Sequence, residues 1–213
     1  LPAPSPNIMR KISETYPVDS KLRSTIERVM MRPYSMLSGT GSRKAYRLAE
    51  TAGKELAKPD GPRVAVFDIN GFDTHAAQGG ANGVHADKLY NLDKIFGRLR
   101  DNLGSAFEDT LIITLTEFGR KIEQNGGNGT EHGYGTAVLM MGGLIKESKV
   151  FADWPGLKRK NMFEGQDLNS TIDARSIYCS AMAMAFDTDF QKLKRQVFWN
   201  DPLINLQDKL FRV

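Results

Sequence analysis

The stretch VAVFDINGFDTH, Val64 to His75, decides how the rest of the chain is read. Its first four residues form a continuous apolar run, the pattern of a strand covered on both faces, and such strands belong to parallel sheets. The run leads directly into Asp68, Asn70, Gly71, Asp73 and His75, a cluster rich in metal-ligating residue types. In open parallel sheets, ligands bind just beyond the carboxyl ends of the strands. The same residues also suit a polar turn, with Asp73 beside Thr74 as its cap.

Downstream, HADKLYNLDKIFGRLRDNLG places Leu89, Leu92, Ile95, Phe96, Leu99 and Leu103 on one helical stripe. DTLIITLT, Asp109 to Thr116, is rich in β-branched residues and reads as a second buried strand. Strand, helix, strand in this order predicts a βαβ unit with parallel strands and a right-handed crossover. A Gly-rich polar loop, EFGRKIEQNGGNGTEHGYG, separates that unit from a third strand, TAVLMMGG. IKESKVFADWPGL reads as a short strand and loop. QDLNSTIDARSIYCSAMAMAF reads as a helix capped near Asp173, where Thr171 and Asp173 form its start. The tail FWNDPLINLQDKLFRV is expected to pack through Phe198 and Trp199.

Upstream, LPAPSPN is expected to be an extended lead-in. Two scaffold helices follow. In the first, Leu22, Ile26, Val29 and Met30 share a face behind a cap at Asp19 or Ser20. In the second, Ala45, Leu48, Ala49, Ala52 and Leu56 do so, and Pro59-Asp60-Gly61-Pro62 stops it. The expected organisation is a helical segment over 1–62 and an α/β core over 63–213, with a mostly parallel sheet flanked by helices.

Composition narrows the function classes. Lys and Arg total 29 against 25 acids, a charge of +4 spread along the chain. With no long basic block, nucleic-acid binding is disfavoured. Cys179 is alone in an apolar run, so it reads as a small core residue and leaves the redox compartment open. No apolar run reaches the roughly 18 residues of a membrane span, and no stretch of the given residues reads as a signal peptide. The chain opens on Leu-Pro rather than Met, so a fragment or processed form is expected.

Three strand-associated segments carry polar residues: Asp73 and His75 after the first strand, Thr116, Glu117 and Arg120 at the end of the second, and Thr130, Glu131 and His132 before the third. Two of the chain's three histidines fall here. With Asp73 and Glu117 they are ligand types that suit zinc, manganese or iron. Gly71, Gly119, Gly129, Gly133 and Gly135 flank them, where backbone turns sharply or approaches an ion. Arg120 can face an anionic substrate or pair with a carboxylate. Plainer readings stand beside each: a loop histidine for His75, a salt-bridged Glu117, a loop-ordering His132, and a helix residue for His85.

Taken in order, GFDTHAAQG, LTEFGRKIEQNGGNGTEHGYG, MMGG, VFADWPGL and DLNSTIDAR resemble the motifs of domain-of-unknown-function family 1501, bacterial sulfatase-like proteins of the alkaline phosphatase superfamily. The resemblance covers about Asp60 to Phe186, and within it TEFGR and GTEHG are the specific elements. It implies an alkaline-phosphatase/sulfatase-like fold, here an incomplete C-terminal portion. It implies metal ligands at Asp73, His75, Glu117 and His132, with Arg120 close by. The implied cofactor is a divalent ion, zinc, manganese or calcium. The implied activity is metal-dependent hydrolysis of a small anionic phosphate or sulfate ester, with Arg120 and Glu117 as catalytic residues, in a periplasmic or exported protein. Phe118, which cannot ligate, follows Glu117, and no Gly-rich, Asp-containing nucleophile strand precedes the helices. The alternative is a non-catalytic exported binding or scaffold protein that retains the fold. A metallopeptidase lacks its HExxH helix.

Overall fold

The computed structural model describes residues 6–21, 23, 24, 27 and 42–212. The chain forms two compact units, Leu1–Leu48 and Ala49–Val213. In the first, helix α1 spans Pro6–Glu14, where an extended lead-in was expected for the first seven residues. Proline suits a first helical position because its missing N–H has no partner there. Ser20 acts as a cap, its Oγ accepting from the Arg23 backbone N–H at 3.1 Å, and Arg23 pairs with Glu27 one turn on at 2.9 Å. The apolar face of Leu22, Ile26, Val29 and Met30 lies outside the described residues.

Helix α2, Ser42–Leu56, ends where its sequence predicts, at the Pro59-Asp60-Gly61-Pro62 turn, with the Gly61 N–H bonded to the Lys58 carbonyl at 2.9 Å. At Glu50 and Gly53 it meets helix α3, Val84–Leu103. The approach is close because Gly53 has no side chain: a Cβ there would stand 2.7 Å from Asn102 Cβ. Glu50 and Arg98 form an ion pair across the same contact. On α3, Leu92, Ile95, Leu99 and Leu103 are buried as their spacing predicts, whereas Leu89 is exposed.

The expected mostly parallel, alkaline-phosphatase/sulfatase-like sheet is overturned. The described residues hold two small antiparallel pairs: β1 (Ile112–Ile113) with β4 (Met140–Met141), and β2 (Gly119–Arg120) with β3 (His132–Gly133). The reason is local. A chain that reverses through the Gly-rich loop after Arg120 must bring its two arms together antiparallel. The arms stay together from Arg120 and His132 back to Ile112 and Met141, helped by Thr114 N–H to the Leu139 carbonyl at 3.0 Å. The register shifts by one residue between the two pairs. Ile112 and Ile113 thus form their ladder with the arm that returns through this loop, not with Val64–Phe67. That stretch joins no ladder, and Val64 and Val66 are 59% and 88% exposed.

The core lies against helix α4, Ala174–Ala185. Asp173 caps it as predicted, accepting from the Arg175 N–H at 2.9 Å. One side of the core joins Cys179 and Ala183 to Phe190 of helix α5 (Phe190–Val197) and to Leu203. The other joins Ala181 to Leu206, Leu210 and Phe211, with Ile113 and Met140 of the hairpin packed on them. Leu210 belongs to a short helix α6, Gln207–Leu210. Cys179 is fully buried, and burial pushes its thiol up, as befits a packing residue. The tail anchors differently from its sequence reading. Phe198 packs on the Cys179 cluster, but Trp199 is 86% exposed and Phe211 is the fully buried aromatic. Two buried serines on α4 hold the tail backbone: Ser176 Oγ accepts from Ile204 N–H at 3.0 Å, and Ser180 Oγ accepts from Leu206 N–H at 2.9 Å.

Among the described residues, no helix is long and apolar enough to cross a membrane. Two substitutions test the anchoring of the tail. Phe211→Ala is expected to lower the free energy of unfolding by about 3–5 kcal/mol in a urea titration. Ser180→Ala strands the buried Leu206 N–H and is expected to cost about 1–3 kcal/mol. Equal, near-zero losses in both would show that the tail is not part of the cooperative core.

Candidate metal centre

The β2–β3 hairpin sets Arg120 directly across from His132. Its loop folds onto the segment that follows Asp73. Ala77 N–H bonds to the Gly127 carbonyl at 2.9 Å, Gln78 N–H to the Asn128 carbonyl at 2.8 Å, and Thr130 N–H to the Thr74 carbonyl at 3.1 Å. Gly129 permits this approach, since a Cβ there would lie 2.3 Å from the His75 carbonyl carbon. Asn125 fastens the loop from within. Its Oδ1 accepts from the Gly127 and Gly129 N–H groups, each at 2.9 Å, while its Nδ2 donates to the His75 carbonyl and to Glu131.

This docking brings three ligand atoms to one point. His75 Nε2 lies 3.0 Å from Asp73 Oδ1, His132 Nε2 lies 3.1 Å from the same oxygen, and the two Nε2 atoms are 3.1 Å apart. Tetrahedral ligands on zinc, at 2.0–2.1 Å from the ion, sit about 3.4 Å from one another, so the triangle is close to the size a bound cation needs. The donor chemistry agrees. Glu131 Oε2 lies 3.0 Å from His75 Nδ1, and an ionised carboxylate can only accept, which favours the tautomer with its proton on Nδ1. In the neutral ring, His75 Nε2 is then a bare lone pair aimed at a carboxylate oxygen and another imidazole nitrogen. A proton on one Nε2 satisfies only the contacts of that nitrogen, whereas a cation between the three atoms satisfies all of them. Asp73, His75 and His132 are about half exposed, which leaves the solvent side of the triangle open.

The surroundings hold these atoms in place. Arg120 Nη1 donates to Asp73 Oδ1, its Nε to Thr130 Oγ1 at 3.0 Å, and its Nη2 to the Thr130 carbonyl. Beneath lies a hydroxyl floor, with Thr74 Oγ1 and Thr130 Oγ1 both donating to Gln78 Oε1, at 2.7 and 3.0 Å. Phe118 stacks on the His132 ring, centroids 3.8 Å apart and planes 18° apart, and so orients it. Desolvation pushes the Asp73 carboxyl up, but the Arg120 hydrogen bond and the charges of His75, His132 and Arg120 outweigh it and hold it below its ordinary value. Glu131 is also held low, chiefly by the Asn125 hydrogen bond against some desolvation.

Of the residues the sequence singles out, Asp73, His75 and His132 come together and Arg120 joins them. Glu117 is exposed and stands outside the cluster. Asp68 and Asn70 are exposed too, on the unpaired stretch. His85 donates its backbone N–H to the Gln78 carbonyl and sets its ring edge-on to Phe72. Sequence reasoning gave Glu131 no role beyond its place in GTEHG and did not single out Asn125. Adjacency to His132 marked the first; nothing local marks an amide that reaches fifty residues back to His75.

The profile of a family described as "Protein of unknown function (DUF1501)" matches residues 30–193, well over half of the chain. No curated protein and no solved structure matches it.

The electrostatics of the triangle can be read in solution. A carboxyl held below its ordinary value stabilises the folded state above its unfolded titration point and loses that contribution as pH falls through the folded one. Arg120→Ala removes the largest lowering contact, so the Asp73 carboxyl is expected to titrate at higher pH in a carbon-detected NMR titration. An unmoved titration would show that Arg120 does not hold Asp73.

Proposed function

The chain belongs to the DUF1501 family, and for this member we propose a hydrolase of phosphate or sulfate esters that works with a divalent cation held by Asp73, His75 and His132. The observation that carries the reading is the triangle of lone-pair donors, 3.0–3.1 Å on each side and open to solvent. Two imidazoles and a carboxylate favour zinc or manganese over calcium, which takes oxygen ligands. When bound, such an ion draws charge from a phosphoryl or sulfuryl oxygen and lowers the pKa of a coordinated water. Three protein ligands with one open position is the pattern of catalytic rather than structural sites.

The chain's own groups supply the rest. Arg120 uses three of the five N–H donors of a guanidinium on Asp73 and Thr130. Its remaining donors, beside the triangle, would bind an ester's anionic oxygen and stabilise charge developing on it. A non-catalytic binding protein is the second reading. Phe118 favours it, because the residue beside Glu117 spends its ring on His132 and offers no further ligand.

Metal analysis by mass spectrometry of dialysed protein tests the first claim. Wild type is expected to retain a transition metal, and His75→Ala and His132→Ala to lose it. Unchanged metal in both variants would sink the reading. Turnover of p-nitrophenyl phosphate or sulfate that a chelator abolishes and zinc or manganese restores separates the hydrolase from the binding protein.

A further inference from the structure

Resting on the metal reading above, we infer that Glu131 is the positioning residue of this site. It holds His75 in the tautomer protonated at Nδ1, which presents Nε2 as a ready ligand, and Asn125 holds Glu131 to that task.

The geometry is specific. Glu131 Oε2 meets His75 Nδ1 at 3.0 Å, on the opposite edge of the ring from the Nε2 that faces Asp73 and His132. A ligand histidine that gives its other N–H to a carboxylate gains both a fixed ring orientation and a more basic ligand nitrogen. The carboxylate itself is not free to turn, because its Oε1 accepts from Asn125 Nδ2. The amide cannot flip either: its Oδ1 is committed to the Gly127 and Gly129 N–H groups, and a flip would set NH2 against two donors. Asn125 Nδ2 also donates to the His75 carbonyl at 2.8 Å. One amide therefore ties together the loop, the carboxylate and the backbone of the histidine. His132 has a different support, the stacked Phe118 ring. The two imidazoles are thus oriented by independent devices, and Glu131 acts on His75 alone.

Three variants test this by zinc calorimetry, with NMR of nitrogen-labelled histidine in the metal-free protein showing which ring nitrogen of His75 carries the proton. Circular dichroism checks the fold. Glu131→Ala is expected to lose the Nδ1-protonated preference and to weaken zinc binding about 10–100-fold. Glu131→Gln has one oxygen for two donors, Asn125 Nδ2 and His75 Nδ1–H, and is expected to recover only part of the tautomer preference and of the affinity. Asn125→Asp keeps the acceptor for the glycine N–H groups but removes the donor to Glu131, and is expected to weaken zinc binding with the loop intact. It carries the test if Glu131→Ala does not fold. Zinc affinity and His75 tautomer unchanged in Glu131→Ala, or in Asn125→Asp, would overturn the role while leaving the metal reading standing. No zinc uptake by wild type would refute the metal reading itself, and this role with it.

Discussion

The antiparallel hairpin that runs from Ile112 to Met141 is the constraint on which the rest of the larger unit depends. Its base supplies Ile113 and Met140 to the core around Phe211, and its far end sets Arg120 across from His132. The same ladder therefore joins the packing of α4 and the tail to the placement of the candidate ligands. Its loop offers the backbone groups onto which the segment after Asp73 docks. Without that docking, Asp73 and His75 have no reason to meet a histidine more than fifty residues away.

The site is built from contacts that contribute little stability. Its ion pairs are largely exposed, and exposed pairs are worth little because water screens them and side-chain entropy opposes them. Their value is positional. Arg120, Thr130, Gln78 and Asn125 each satisfy several partners at once, so the candidate ligand atoms are held in place by the protein alone. Two imidazole nitrogens and a carboxylate oxygen held within 3.1 Å of one another suit a cation or a proton between them. Stability comes from elsewhere, from Phe211, Ile95 and the buried face of α4.

How much was legible in the sequence followed the range of the interactions involved. Helix α3 was readable because its stripe obeys a short period, and the Asp173 cap because it acts two residues away. The triangle was readable as a set of residue types, since scarce histidines beside glycines mark ligand loops. The parallel sheet was misread for an equally local reason. An apolar run such as Val64–Phe67 specifies strand-like backbone without saying which strand it pairs with, and here it pairs with none among the described residues. Trp199 shows the same limit. A large aromatic in a tail suggests an anchor, but the tail's backbone bonds to Ser176 and Ser180 bury Leu206 and Phe211 and leave Trp199 outside.

By itself, then, the sequence determined helices α2, α3 and α4, the Asp173 cap and the Pro59–Pro62 turn, membership of its family, and the ligand types that Asp73, His75 and His132 offer. These depend on side-chain type and on neighbours a few residues away. Only the tertiary structure decided that the strands run antiparallel, that Glu117 stands apart while Glu131 stands behind His75, and that Asn125 holds the two together. Those outcomes depend on which backbone can approach another, as Gly129 lets its loop approach His75. No periodicity along the chain records such a meeting of distant segments, because it is created by the folding that joins them.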